Sequence, residues 1–498
     1  MKLFGKYRSI REMLENEDSK ILAEKFPHGK PTSRRDLLKA GAISFTASVT
    51  APSLLGQLLL PSVANAQAAG CTQNPAFVGL KLNGGAGLMG NWVALGENRD
   101  FIDTYSQLGL GPRSEIINRN TKVFGDAMFF DGSQILAGIR QTASATTLLN
   151  TSFVGLPVAS NDDSANNPFD ITYFVSKLGV VGSILPNLGR QQSLTGIAQL
   201  PALGKTPPTP LSVGSTTDIA NALTVRGSLA ALNDTQKASV FSLINKLSEA
   251  QTRELASATG GGVLAQLINQ ATGLNANLAT STNSGIDPLQ DAAISQAFST
   301  AWTNDNNQTM NQQAANARER VFGTMIYNSL KGNAGTTNLE MGGYDYHGQG
   351  RATQDARDLD AGRTMGRILE SAAVMQRPVF LMVTSDGAVG APAGSSAGAA
   401  FTGDRGSGGS IMCFAFHPLA RPAAVNSSGA VDHQVGSVKG QAAVNTDEMT
   451  GNDPALAGLA AFANFASFSG MLGQFPNIAG SIWNSEQIER VTRLRKVG

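Results

Sequence analysis

Residues 378–384 form a continuous apolar run that ends directly in Ser385-Asp386-Gly387. A run without polar interruptions is typical of a strand buried on both faces, as the strands of parallel sheets are. Four more stretches have strand patterns, at residues 76–82, 152–158, 338–341 and 411–416. Helical patterns at residues 168–190 and 353–375 lie between them. This alternation predicts an α/β fold in which helices sandwich a mainly parallel sheet.

The middle of the chain differs from these flanking regions. After a proline-rich break at residues 206–210, the sequence is rich in Ala, Asn, Gln, Ser and Thr and has few aromatic residues. The break and the apolar spacing that follows it predict helices. We therefore expect residues 205–332 to be a mainly helical insertion within one α/β domain that spans residues 67–498.

The N-terminal region has the three parts of an export signal in the right order. Ser33-Arg34-Arg35-Asp36-Leu37-Leu38-Lys39 resembles the twin-arginine motif, and a mildly apolar run at residues 40–60 follows it. Ala64-Asn65-Ala66 then gives the small-x-small pattern of a cleavage site. We expect residues 1–66 to be a twin-arginine signal with a long charged N-terminal region. The twin-arginine translocase would then export the folded protein to the periplasm or beyond, without a transmembrane segment in the mature chain.

The charge balance of the chain disfavours one class of function, nucleic-acid binding, and its two cysteines bear on a possible disulfide. The chain has 38 Lys and Arg against 37 Asp and Glu, and residues 67–498 keep 28 of the basic and 31 of the acidic residues. A slightly acidic body lacks the basic excess that nucleic-acid binding requires. Cys71 and Cys413 are the two cysteines. They either pair in the oxidising compartment or are two unrelated small buried residues, and the sequence leaves both alternatives open.

Acidic residues and a histidine follow three of the predicted strands. Asp162 and Asp163 come after the strand pattern at residues 152–158, Asp345 and His347 after that at residues 338–341, and Asp386 after the buried run at residues 378–384. Ligands of α/β proteins bind at the carboxyl ends of the strands, so these groups can converge on a divalent cation there. Oxygen and nitrogen ligands suit zinc, manganese, magnesium or calcium. The alternative for each residue is a structural role, as a turn residue, a helix cap or a hydrogen-bonded histidine.

The motif Gly342-Gly343-Tyr344-Asp345-Tyr346-His347, then a helix and a strand ending in Thr384-Ser385-Asp386-Gly387, resembles a family of uncharacterised exported proteins. That family belongs to the alkaline phosphatase and sulfatase superfamily, and some of its members have names borrowed from the general secretion pathway. The resemblance implies a metal-dependent hydrolase of phosphate or sulfate esters. It implies that Asp345 and His347 are metal ligands and that Asp386 takes the place of the family's acidic residue.

Two departures from the family pattern limit that implication. The glycine-rich turn at residues 83–87 lacks the usual aspartate, and the later Asp-His pair is replaced by Asp404-Arg405. Arginine stays protonated and does not coordinate a metal. These losses favour a single-metal site or a non-catalytic descendant, and Arg405 would bind an anion such as phosphate or sulfate instead.

Three functions follow as hypotheses. The first is a periplasmic metal-dependent hydrolase. In it, Asp345 and His347 bind the metal, Asp386 and either Asp162 or Asp163 assist, and Arg405 orients an anionic ester. The second is a non-catalytic envelope protein that uses the fold for binding, secretion or assembly. The third is a serine esterase, because Gly394-Ser395-Ser396-Ala397-Gly398 matches a nucleophile motif and Asp432-His433 would complete a triad.

Overall fold

The computed structural model describes residues 74–160, 169–182, 185, 187–190, 205, 210–223, 286–402 and 408–498. These residues belong to one structural unit, and that unit alone is described below. The predicted signal, Cys71 and residues 224–285 of the predicted insertion lie outside the described ranges. The boundaries of the signal and of the insertion therefore stay predictions. Cys413 is a buried free cysteine in the described part of the chain, and its pairing with Cys71 stays one of two alternatives.

The strands of the described residues alternate with helices along much of the chain. The strands are β1 (Ala76–Leu82), β2 (Asn120–Val123), β3 (Ala127–Phe130), β4 (Thr151–Pro157), β5 (Leu188–Arg190), β6 (Leu211–Val213), β7 (Thr337–Met341), β8 (Val379–Ser385), β9 (Ser410–Phe416), β10 (Val438–Lys439) and β11 (Ala443–Val444). The α-helices are α1 (Arg113–Asn118), α2 (Gln134–Thr142), α3 (Ala145–Leu149), α4 (Thr172–Lys177), α5 (Thr216–Leu223), α6 (Ser295–Ala301), α7 (Arg318–Lys331), α8 (Arg351–Val374), α9 (Pro454–Phe468), α10 (Phe475–Ala479) and α11 (Ser485–Val491).

A seven-stranded sheet in the order β4-β9-β8-β1-β7-β5-β6 forms the centre of the unit. Its strands from β8 to β6 pair in parallel, and β9 runs antiparallel to both β8 and β4. β4 therefore points in the same direction as β8, and β9 is the one reversed strand of this sheet. The predicted α/β class with a mainly parallel sheet is confirmed.

Each face of the sheet packs against a layer of helices. Val78, Leu80 and Leu82 of β1 contact the side where α2, α7 and α8 bury their apolar residues. Phe77 points to the opposite side, where α4 and α9 pack around Phe380 of β8. The apolar runs that predicted buried strands thus have both faces covered, which is why they lack the polar alternation of a half-exposed strand.

The helix predicted over residues 168–190 is wrong for most of its length. Helix α4 covers Thr172–Lys177 only, and β5 follows at Leu188–Arg190. Gly179 has a φ of 102°, a backbone conformation that ends a right-handed helix. The chain then turns into the sheet, and β5 pairs with β7 and β6.

Described parts of the predicted helical insertion contain both helices and a strand. Helices α5, α6 and α7 lie within residues 205–332, and β6 adds an edge strand to the main sheet. The sheet thus continues into a region whose composition predicted helices. A three-residue strand such as Leu211–Val213 is too short to produce a pattern that distinguishes it from a loop.

Candidate functional site

The carboxyl ends of β7, β1 and β8 lie side by side at one edge of the sheet. Leu82, the last residue of β1, is in register with Met341 of β7 and with Ser385 of β8. β4 runs in the same direction and ends at Pro157, opposite Ser410. The segments that carry the predicted site residues therefore leave the sheet at a common edge, which we call the rim.

A glycine turn after β1 is held by the residues that follow β8. The backbone amides of Gly84 and Gly85 both donate to Oδ1 of Asp386, at 2.8 and 3.2 Å. The Ser385 hydroxyl donates to the carbonyl of Leu82 at 2.8 Å and accepts the amide of Ala86 at 2.7 Å. The carboxylate of Asp386 thus fixes the shape of the turn in addition to any role toward a ligand.

Position 84 of the turn requires glycine. Gly84 has a φ of 114°, and a Cβ placed on it would come within 2.7 Å of the backbone nitrogen of Asp345. The amide of Tyr344 also donates to the carbonyl of Asn83 at 3.0 Å. The turn and the motif around Asp345 are therefore packed backbone to backbone, and a side chain at Gly84 would separate them.

Asp345 and His347 form a carboxylate–imidazole pair on the rim. Nδ1 of His347 contacts Oδ1 of Asp345, and the two side chains are 53% and 49% exposed. Because a carboxylate only accepts hydrogen bonds, this contact places a proton on Nδ1 of His347. A carboxylate orients histidine in this way in general acid–base pairs and behind metal-bound histidines.

The sequence did not predict three charged residues that lie near the rim. Lys81 is 1% exposed in β1, and Glu340 in β7 accepts a hydrogen bond from the side-chain amide of Asn83. Asp170, before α4, is 7% exposed. Lys81 interrupts an otherwise apolar strand close to its carboxyl end, which is the signal that could have identified it. Glu340 lies in a strand that also contains Thr337 and Asn338, so it has no comparable signal.

Burial raises the pKa of two carboxyl groups in this part of the molecule. Burial raises the pKa of Asp386, and the Gly84 amide and Lys81 oppose that shift. Burial also raises the pKa of Asp170 to about 7, against the opposing hydrogen bonds from Thr172. These two carboxyl groups therefore ionise at a higher pH than a solvated aspartate does.

The structure brings three of the six predicted site residues to the rim. Asp345 and His347 contact each other, and Asp386 is joined to them through the Gly84 turn. Asp162, Asp163 and Arg405 lie outside the described residues, although β4, which precedes the two aspartates, ends at the same edge. The functional roles of all six residues stay predictions.

The described side chains do not complete a multi-ligand metal centre. Within the described ranges, no group of three or more His, Cys, Asp and Glu side chains converges as a metal site requires. Asp345 and His347 supply two donors of the type that divalent cations accept. Two protein ligands are enough for a hard cation that keeps several waters, and too few for a closed zinc site.

The proposed serine triad is not assembled around His433. Nδ1 of His433 donates to the carbonyl of Phe153 at 2.8 Å, and Nε2 accepts the amide of Asp126 at 3.2 Å. Asp432 instead bonds to Arg99 and Arg493. Both ring nitrogens are thus engaged away from any serine, and the geometry disfavours the esterase hypothesis.

Comparison with known proteins leaves the family open. No protein-family model matches the chain, and no curated protein has a significant sequence match to it. In the described part of the chain, none of the helices is both long enough and apolar enough to cross a bilayer.

Proposed function

We propose that this chain is an exported protein of the alkaline phosphatase and sulfatase kind. In this proposal, the rim binds one divalent cation and hydrolyses a small phosphate or sulfate ester. The observation that carries the proposal is the Asp345–His347 pair, half-exposed and packed on the glycine turn at the rim. The sequence motif around the pair and the twin-arginine signal support it. The sheet class is compatible with this superfamily.

Each residue has a defined task in the proposed reaction. Asp345 orients the imidazole of His347, and this pair would hold the cation. A cation held there would supply charge stabilisation for the ester oxygens and would make a water molecule more acidic. Asp386 fixes the Gly84–Gly85 turn beside the pair. Arg405 would bind the anionic group of the ester through its guanidinium, as arginine does with phosphate and sulfate.

Removing the imidazole should abolish hydrolysis. We expect the folded protein to hydrolyse p-nitrophenyl phosphate or p-nitrophenyl sulfate in the presence of Mn²⁺, Mg²⁺, Zn²⁺ or Ca²⁺. His347→Ala should lower kcat/KM by about 100-fold or more, because it removes a cation ligand or the group that moves the proton. Asp345→Asn should lower kcat/KM by about 10- to 100-fold, since the neutral amide lacks the negative charge that orients the ring and attracts the cation.

His417 gives a matched control for this experiment. It follows the C-terminal end of the reversed strand β9 and so lies at the opposite edge of the sheet. His417→Ala should therefore leave kcat/KM unchanged. Equal activity of the wild type and His347→Ala on every ester tested would overturn the hydrolase proposal.

A second candidate is a non-catalytic envelope protein that uses the rim for binding or assembly. Its specific support is the engagement of Asp386, whose carboxylate already accepts two amides of the glycine turn. The absent aspartate in that turn and the arginine at position 405 point in the same direction. On this account, no ester is hydrolysed with any cation, while the Asp345–His347 surface still binds a ligand.

A further inference from the structure

The motif that carries the rim pair alternates between buried and exposed side chains. Tyr344 and Tyr346 are 1% and 0% exposed, whereas Asp345 and His347 between and after them are about half exposed. The extended chain therefore inserts its two tyrosines into the core and presents the acid and the imidazole outward. The placement of the pair depends on what the tyrosines contact.

The hydroxyl group of Tyr346 contacts a buried carboxylate of helix α8. Its hydroxyl donates to Oδ1 of Asp358 at 3.0 Å, and Asp358 is fully buried. Burial, with the Asp358 carboxylate beside it, raises the pKa of Tyr346, so the phenol remains a donor. Tyr344 makes a different contact, because its hydroxyl donates to the backbone carbonyl of Arg357 at 3.2 Å.

The other oxygen of Asp358 connects to the glycine turn. Oδ2 accepts the side-chain amides of Asn91 at 2.6 Å and Gln354 at 2.9 Å. Gln354 also donates to the carbonyl of Gly87, the last residue of the turn, at 3.0 Å. One carboxylate thus joins both segments that build the rim, the turn after β1 and the motif after β7.

We infer that Asp358 and Tyr346 are positioning residues that hold the Asp345–His347 pair in its productive geometry. This inference rests on the proposed role of that pair in ligand binding. Neither residue reaches the ligand; both act by fixing the backbone from which Asp345 and His347 project. The consequence is a fixed tautomer, because a well-placed Asp345 carboxylate accepts the His347 proton at Nδ1.

The tautomer of His347 gives a readout that a merely structural role would not change. The ring ¹⁵N shifts of His347, assigned by comparison with His347→Gln, report which nitrogen carries the proton in the full-length protein without ligand. We expect the wild type to populate the Nδ1–H form predominantly. In Tyr346→Phe, the ratio of Nδ1–H to Nε2–H should fall by at least about twofold, in line with the loss of one buried hydrogen bond.

Tyr344→Phe is the matched control, because it removes a buried hydroxyl from the same motif without touching Asp358. Its tautomer ratio should equal that of the wild type. Asp358→Asn is a second variant and should lower the ratio as Tyr346→Phe does. An unchanged ratio in Tyr346→Phe, or an equal fall in both tyrosine variants, would overturn the inference. Failure to bind a cation or hydrolyse esters would refute the proposed function and leave this result standing.

Discussion

Asp358→Ala is expected to destabilise the protein by about 3–5 kcal/mol, because it leaves three buried donors without their acceptor. Those donors are the Asn91 and Gln354 amides and the Tyr346 hydroxyl, and all three residues are fully buried. Gln354 keeps a second acceptor in Gly87, whereas Tyr346 loses the acceptor that its hydroxyl has in the wild type. Urea denaturation of the full-length protein at pH 7 measures the loss.

Asp360→Ala on the same helix is the control for this effect. Asp360 is 24% exposed and pairs with Arg318, so its removal should cost far less than that of Asp358. Asp358→Asn should also cost less than Asp358→Ala, because the amide oxygen still accepts from Asn91 and Gln354. If Asp358→Ala and Asp360→Ala lowered the free energy of unfolding equally, the buried network would not contribute as described.

Asp170→Asn is expected to stabilise the protein at pH 8 and to leave its stability unchanged near pH 4. Oδ1 of Asp170 accepts the amide of Thr172 at 2.6 Å, and Oδ2 has no hydrogen-bond partner among the described residues. The carboxyl lines a cavity of about 10 Å³, the size of one water, that Lys81 also borders. Ionisation in this place is costly, which is why burial raises the pKa of Asp170 to about 7.

The sign of the pH dependence follows from the two pKa values of Asp170. The unfolded chain loses this proton near pH 3.9, whereas the folded protein keeps it until about pH 7. Between those two pH values the unfolded chain has lost the proton and the folded protein still holds it. The contribution of Asp170 to the free energy of unfolding therefore falls as the pH rises, and it stays constant above about pH 7. Asparagine does not titrate, so the variant should gain on the order of 2–4 kcal/mol over the wild type at pH 8.

Urea denaturation of both proteins at several pH values between 4 and 8 tests this expectation. Asp447→Asn serves as the control, because that side chain is 83% exposed and its neutralisation should change the profile little. A parallel pH profile for Asp170→Asn and the wild type, or a less stable variant at pH 8, would contradict the account of this buried carboxyl.

Long apolar patterns made much of the fold predictable. β1, β8 and β9 lie within a residue of their predicted bounds, since at least six of the seven positions in each strand are buried and leave a clear apolar signal. β5 and β6 were not predicted, because three residues of strand have no pattern of their own. The antiparallel direction of β9 was also unpredictable, since a strand buried on both faces has the same apolar pattern whichever way it runs.

The site was predictable where its residues follow strands and unpredictable where its supporting residues lie in helix α8. Asp345, His347 and Asp386 follow strands directly, so topology alone places them at one edge. The first two turns of α8 are polar in sequence, and a solvated helix face is the natural expectation for them. Yet Gln354 and Asp358 are fully buried there, because the glycine turn and Tyr346 supply their partners from distant parts of the chain.

We propose that Asp345 and His347 hold a divalent cation at the rim. Elemental analysis of the folded, full-length protein after equilibration with Mn²⁺ and Mg²⁺ tests this most directly, with Asp345→Ala and His347→Ala measured beside it. We expect about one equivalent of bound cation per chain in the wild type, and an affinity for the cation that is at least about tenfold lower in both variants. A wild-type protein that stays free of metal, with a thermal stability that chelators do not change, would contradict this proposal.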